Sequence, residues 1–263
     1  MSAADRGTAV VDAVTAGLPA LSLAEVVATS ALMSRTDRKY LLRPSEFLAL
    51  AEALRPELSC LEIAGGRSFR YSSTYFDTPG LAVFRAHRQD RRRRFKIRTR
   101  TYADSADTFC ELKLNGRRDE TIKVRRPHPT AAAHTLTAST LEFLDEQLMA
   151  AYGTRAPRPL TASLVTTYRR ATLVTADRLT RITCDTALTW SSGRHDVPAA
   201  RDLVLLEVKS AAGRGPATEA LSRLRLHELS VSKYCAGLVA LGLAQGGNRW
   251  LPALRRLAVH SIG

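Results

Sequence analysis

The residues with the most evident chemistry lie in one stretch, Arg94-Phe95-Lys96-Ile97-Arg98-Thr99-Arg100, where a cation occupies every second position. Side chains of a strand alternate between its faces, so Arg94, Lys96, Arg98 and Arg100 project together and Phe95, Ile97 and Thr99 project the other way. Cations about 6.6 Å apart repel by roughly 2.5 kcal/mol per adjacent pair at an effective dielectric of about 20. A hydrated strand tolerates this, and a solvated outer face is the plain reading of the stretch taken alone. An enclosed strand needs a counter-charge. A row of anionic oxygens would serve, because Arg binds them as a planar fork and Lys as a point charge. On this reading Arg98→Ala or Arg100→Ala relieves repulsion and spares the fold, whereas Ile97→Ala removes methyl groups from the packing face.

The same alternation returns, now with acids, in Arg35-Thr36-Asp37-Arg38-Lys39, Glu111-Leu112-Lys113, Arg181-Ile182-Thr183-Cys184-Asp185 and Glu207-Val208-Lys209. The flanks are apolar: Phe109, Leu112 and Leu114 surround Glu111, and Leu205, Leu206 and Val208 surround Glu207. A charge enters such a strand only with a partner, a metal or a water-filled cavity. Glu207 and Glu111 are therefore either ligands of a divalent cation or ion-pair partners of neighbouring lysines. Asp37 and Asp185 read as salt-bridge partners that orient cations. Inward charge on this many strands predicts a closed sheet around a polar lumen.

The elements that would position these residues follow in order. Residues 1 to about 30 read as a loosely attached helix, Arg35 to Leu42 as a strand, and Pro44-Ser45-Glu46 as the start of a helix that Pro56 ends. A strand from Phe69 to Phe76, the turn Asp77-Thr78-Pro79-Gly80, a segment through His87 read as strand, and the basic strand come next. Asn115-Gly116 predicts a hairpin that pairs Thr121 to Arg125 back on the Glu111 strand. Ser139-Thr140-Leu141-Glu142 has capping-box spacing for a helix that stops by Gly153. Strands follow at Ala162 to Val174, Arg181 to Thr189 and Leu203 to Lys209, then a helix from Pro216 with Leu221, Leu224 and Leu226 inward and a last core helix from Ser232-Lys233-Tyr234. Strands outnumber helices and short turns join many of them, so the fold class is α+β with a mainly antiparallel sheet.

With 263 residues and 45% hydrophobic content the chain can bury one full core. We expect an extension over 1–30, one domain over 31–244 and a tail over 245–263. The excess of 39 Lys and Arg over 25 Asp and Glu, +14, points to a polyanionic partner. Cys60, Cys110, Cys184 and Cys235 are far apart and form no metal or disulfide pattern, which fits a cytoplasmic protein. Asp5, Asp12 and Glu25 interrupt the start, so it does not read as a signal peptide, and the apolar run from Cys235 to Ala244 is about half a membrane span. No Gly-rich phosphate loop ending in Gly-Lys-Ser or Gly-Lys-Thr is present, which excludes P-loop chemistry. The basic strand lacks the regular aromatics of single-strand nucleic-acid binders, so no specific nucleic-acid partner is expected.

Taken in order, Arg35-Thr36-Asp37-Arg38-Lys39-Tyr40, Tyr75-Phe76-Asp77-Thr78, His87 with Arg98-Thr99-Arg100-Thr101-Tyr102, Glu111-Leu112-Lys113, Tyr168-Arg169-Arg170-Ala171, Arg181-Ile182-Thr183-Cys184-Asp185, Glu207-Val208-Lys209 and Ser232-Lys233-Tyr234 resemble the motifs of the VTC (vacuolar transporter chaperone) domain. That family belongs to the triphosphate tunnel metalloenzymes, related to CYTH proteins. The resemblance spans about residues 33 to 242. It implies an antiparallel eight-stranded β tunnel with flanking helices, and extension of inorganic polyphosphate from ATP with Mn²⁺ or Mg²⁺. It assigns Arg98, Arg100, Lys113, Arg170, Arg181 and Lys233 as the catalytic phosphate-binding cations and Glu207 as the metal ligand; Glu111 stays a second metal candidate on its own strand pattern alone. Lys39 matches the first-strand lysine, and Arg94, Lys96, Lys209 and His87 complete the phosphate-binding set. His87 stands where the eukaryotic polymerases carry arginine, which implies a weaker or pH-dependent contact. The regulatory SPX domain and membrane helices of the eukaryotic proteins are absent from this sequence, which leaves open a membrane partner protein for export of product. The residues leave two other classes open, a hydrolase of triphosphate or nucleoside triphosphates and a non-catalytic polyphosphate-binding module.

Overall fold

The computed structural model describes residues 5–30, 35–116, 121–193, 195–211 and 215–257. The chain runs α1 (Arg6–Ala16), β1 (Ala20–Leu21), α2 (Leu23–Ser30), β2 (Arg35–Leu42), α3 (Pro44–Leu54), β3 (Leu58–Leu61), β4 (Ser68–Asp77), α4 (Ala82–Arg88), β5 (Phe95–Tyr102) and β6 (Asp107–Asn115). It continues through β7 (Thr121–Pro127), α5 (Ala138–Tyr152), β8 (Thr161–Thr175), β9 (Thr180–Ser192), β10 (His195–Pro198), β11 (Val204–Ala211), α6 (Pro216–Arg223), α7 (Lys233–Ala240) and α8 (Leu251–Arg256).

Eight strands follow one another by hydrogen bonding in the order β2-β11-β9-β8-β4-β5-β6-β7, with every neighbouring pair antiparallel. This is the expected strand number and direction. Among the described residues no ladder joins β7 to β2, so the sheet is a curled half-barrel whose backbone does not close. Side chains span the gap instead: Lys113 Nζ on β6 lies 3.8 Å from Asp37 Oδ2 on β2.

The alternation predicted from sequence sorts the sheet into two faces. On the convex face Tyr40, Leu42, Ile182, Cys184, Leu206 and Val208 pack under α1, α3 and α6, and Ile97, Leu112 and Leu114 pack under Phe143, Leu144 and Leu148 of α5. Each such aliphatic side chain contributes about 1.5–3 kcal/mol on burial. The concave face is divided lengthwise. At one end Leu41, Tyr75, Trp190 and Leu205 meet Phe84 of α4, Tyr234 and Leu238 of α7, and Trp250 and Leu254, forming an apolar plug. Gly237 permits the plug, because a Cβ there would lie 2.3 Å from the Trp190 ring. The other end of the concave face carries the charges.

Several local expectations change. The first segment forms two helices, and Val11 and Val14 dock α1 into the core. His87 lies on α4, not on a strand, because Asp77 accepts the amides of Val83 and Phe84 and so nucleates a helix directly after the turn. The cap of α5 is Thr137, whose hydroxyl accepts from Thr140 N, and not Ser139. Leu224 is exposed at the end of α6, where the helix has already stopped. Asn115 pairs with Thr121, so the β6–β7 connection is longer than a two-residue hairpin, and its residues 117–120 lie outside the described residues. Among the described residues no helix is long and apolar enough to cross a membrane.

Candidate functional site

Three ion-pair nodes organise the charged half of the concave face. Glu111 on β6 is the first. Its carboxylate is 1% exposed and takes Arg98 Nε at 2.8 Å and Nη2 at 2.6 Å, Lys123 Nζ at 2.5 Å and Arg100 Nη1 at 3.8 Å. Burial by itself would raise its pKa, but Arg100, Arg98 and Lys123 outweigh burial and hold it well below the usual carboxylate range. The repulsion inferred for Arg98 and Arg100 is thus already neutralised in the ligand-free protein. Arg98 also donates to Tyr75 Oη at 3.0 Å, and Arg100 to Ser73 Oγ at 3.3 Å.

Asp185 on β9 is the second node. Arg170 of β8 grips it through Nε to Oδ1 at 2.6 Å and Nη2 to Oδ2 at 2.8 Å, and Lys233 Nζ, at the first position of α7, also donates to Oδ2 at 2.5 Å. Trp190 Nε1 donates to the Lys233 carbonyl at 2.7 Å, which fixes the start of α7 against the sheet. Tyr168 joins this node from β8. Its ring stacks on Tyr71 with centroids 5.3 Å apart, and Arg170 and Lys233 lie 5.2 and 4.7 Å from its centroid. Among the described residues the buried Tyr168 hydroxyl has no hydrogen-bond partner, and Arg100 and Arg170 outweigh burial to lower its pKa.

Glu207 on β11 is the third node. It pairs in register with Lys39 of β2 and Thr183 of β9. Lys209 Nζ sits between two acids, 3.2 Å from Glu207 Oε1 and 3.3 Å from Asp37 Oδ2. Burial opposes ionisation here too, and Lys209, Lys39, Arg170 and Lys113 together keep Glu207 well below the usual range. Arg181 is the register partner of Lys209 and shares the concave parity of Thr183 and Asp185.

The remaining candidates gather at the mouth nearest α4 and α7. Lys96 and Lys113 are directly paired across β5 and β6, and they line a cavity of about 210 Å³ together with His87, Arg94 and Arg249. Burial lowers Lys96 to about 8 and His87 to about 3. His87 Nε2 donates to the Phe95 carbonyl at 2.9 Å, so the ring is neutral and tethered at neutral pH.

The VTC domain family model matches residues 34–241, most of the sequence. The chain belongs to the VTC domain family. A search of curated proteins finds no match. Similar solved structures include a Hippeastrum protein named for adenylyl cyclase and described as having a dominant triphosphatase activity, 15% identical with a TM-score of 0.47, the match covering 77% of this chain and 95% of that one. A Bacillus halodurans protein named for adenylate cyclase is 14% identical with a TM-score of 0.46 over 76% of this chain and 96% of its own. An RNA triphosphatase of S. pombe is 15% identical with a TM-score of 0.28 over 88% and 78%.

Within this VTC domain the structure brings Arg98, Arg100, Lys113, Arg170, Arg181, Lys233, Lys39 and Lys209 onto one concave surface with Glu111 and Glu207, and sets Arg94, Lys96 and His87 at its mouth. Sequence reasoning missed Lys123 and Arg125, although Ile122-Lys123-Val124-Arg125 alternates like the other charged strands. Lys123 completes the Glu111 node, and Arg125 lies 4.9 Å from the Phe109 centroid. Spacing could not show that the Tyr168 hydroxyl is buried without a hydrogen-bond partner among the described residues.

Among the described residues no group of three or more His, Cys, Asp or Glu side chains could hold a metal unaided. Glu207 nevertheless fits an ion that arrives on its substrate, since Mg²⁺-type cations take one or two carboxylates and fill their shell with phosphate oxygens and water. Glu111 is already matched by three cations.

Proposed function

We propose that this domain transfers the γ-phosphoryl group of ATP to the end of an inorganic polyphosphate chain. The carrying observation is a concave face on which Arg98, Arg100, Arg170 and Lys233 are held by buried Glu111 and Asp185 and Lys113 and Lys209 by part-buried Asp37 and Glu207, so the cations are set before any substrate binds. Phosphoryl transfer needs positioning and charge neutralisation more than covalent help from the protein. The terminal oxygen of polyphosphate attacks the γ-phosphorus of ATP, a P–O bond forms there, the bond to the β-phosphate oxygen breaks, and ADP leaves. No side-chain nucleophile is required. In this reading Arg98, Arg100, Arg170, Arg181 and Lys233 grip the reacting phosphates, Lys39, Lys113 and Lys209 extend the grip, and Lys96, Arg94 and neutral His87 line the way out. Glu207 would hold Mn²⁺ or Mg²⁺, and a cation there would supply charge neutralisation for the reacting phosphates. Glu111 serves as the fixed counter-ion rather than as a second ligand.

The test is incubation of purified protein with ATP and Mn²⁺ or Mg²⁺. Polyphosphate ladders on a gel with matching ADP support the transferase, free phosphate without ladders assigns a hydrolase, and neither product leaves a binding module.

A further inference from the structure

The densest run of cations outside the lumen is Arg88-Gln89-Asp90-Arg91-Arg92-Arg93-Arg94, between α4 and β5. Arg91, Arg92 and Arg93 are exposed, and among the described residues their guanidinium groups make no hydrogen bond or ion pair. The one acid in the run, Asp90, is already taken by Arg94 at 3.5 Å and Arg249 at 3.4 Å. Beside the run opens the cavity that Lys96 and Lys113 share with Arg94 and Arg249. Lys96 and Lys113 belong to the concave face, so this cavity joins the lumen to the arginine run.

We infer that the cavity is a port and that Arg91, Arg92 and Arg93 form a track on the outer surface for a phosphate chain too long for the lumen. The inference rests on the lumen reading above. Repulsion among three unpaired arginines is relieved by a flexible polyanion with a charge at every repeat. A nucleic acid would call for aromatic side chains to stack its bases, and a membrane surface for apolar side chains to insert; residues 88–94 contain neither. The track makes affinity rise with chain length beyond what the lumen contacts alone supply, and it keeps a growing chain attached between additions.

The test compares wild type with a variant carrying R91Q, R92Q and R93Q, using two probes, inorganic triphosphate and a labelled polyphosphate of many tens of residues. Triphosphate affinity should be equal in the two proteins, while long-chain affinity in the variant falls about tenfold or more and the slope of log affinity against log salt drops by about 2. Equal long-chain affinity in both proteins overturns the track and leaves the lumen reading intact. A parallel loss of triphosphate binding also overturns it, since the arginines would then act on the lumen itself. Triphosphate that fails to bind wild type removes the lumen reading, and the track with it. Anionic phosphatidylserine vesicles that bind through these arginines when long polyphosphate does not would replace the track by a membrane contact.

Discussion

Glu111-Leu112-Lys113 on β6 and Glu207-Val208-Lys209 on β11 are the same three-residue pattern in two strands of one sheet, yet they do different work. Glu111 faces Arg98, Arg100 and Lys123 and is fully enclosed. Glu207 faces chiefly Lys209, with its side chain 16% exposed to the lumen, and Lys209 is itself shared with Asp37. A glutamate matched threefold at close range is a structural counter-ion; in the function proposed above, Glu207, whose close ion pair among the described residues is with Lys209, would exchange that ammonium for a metal. The neighbouring strands decide the difference, and the motif does not.

Neutralising each glutamate is the sharpest way to break this comparison. Glu111→Gln strands a buried cluster of cations and should cost about 3–5 kcal/mol of stability, the scale for removing one partner of a buried pair. Glu207→Gln should stay within about 1 kcal/mol of wild type and keep triphosphate affinity, while losing most turnover at limiting metal. Denaturant melts and metal-titrated activities of the two variants check this. If Glu207→Gln melts early and Glu111→Gln does not, the roles are exchanged.

Next in size are changes on opposite faces of β5. Ile97→Ala opens space among Leu112, Leu144 and their neighbours and should cost about 2–5 kcal/mol, with specific activity kept by the folded fraction. Arg98→Ala corrects the expectation drawn from the cation row alone. It removes two charge-assisted bonds to buried Glu111, so it should destabilise by about 1–3 kcal/mol as well as abolish activity. An Arg98→Ala protein as stable as wild type would show that Glu111 contributes no fixed scaffold.

These cases show what the sequence could disclose. Face and parity were legible, because a period of two is a property of the strand alone: Ile97, Leu112 and Ile182 lie on the convex face and Arg98, Lys113 and Asp185 on the concave one. Partnership across strands was not. That Glu111 sits under Arg98 is a matter of register, Arg98 opposite Glu111, and register depends on loops whose lengths do not fix it. The same limit hid Lys123 and the open seam between β2 and β7. His87 was misplaced because Asp77 acts as a cap from the end of the preceding strand, beyond the reach of local pattern.

Occupancy of the lumen should register as stability. Triphosphate at 100 times its dissociation constant adds about 2.7 kcal/mol, and duplex DNA at matched phosphate concentration should add less because it cannot enter a curled sheet. Equal shifts would favour a surface patch over the concave site.

The smallest expected effect concerns protons, and it separates the mouth from the nodes. Burial lowers Lys96 to about 8 and Lys123 to about 7, against an ordinary lysine value of about 10.4. Between those folded values and the ordinary one, the unfolded chain holds protons that the folded chain has released, so stability rises with pH over that window. Lys96 should carry most of this trend, since the Lys123 side chain is 42% exposed and water screens its share. The acids act at the other end of the scale: Glu111, Glu207 and Asp185 are held low, so the stability they contribute is lost as pH falls below the usual carboxylate range. His87, lowered to about 3, adds to the acid loss, because unfolding lets it take up a proton below about 6.5. A phosphate chain at the mouth favours protonated Lys96 and returns its pKa toward the ordinary value, so the alkaline rise should flatten when the lumen is filled. Melting temperatures of the ligand-free protein should therefore climb modestly from pH 7 to 9, and those of the triphosphate complex should not. Calorimetric binding in two buffers of different ionisation heat should show proton uptake across the same range. A ligand-free melting temperature that falls from pH 7 to 9 would mean that Lys96 is hydrated, and that the mouth is not the enclosed cationic port its geometry describes.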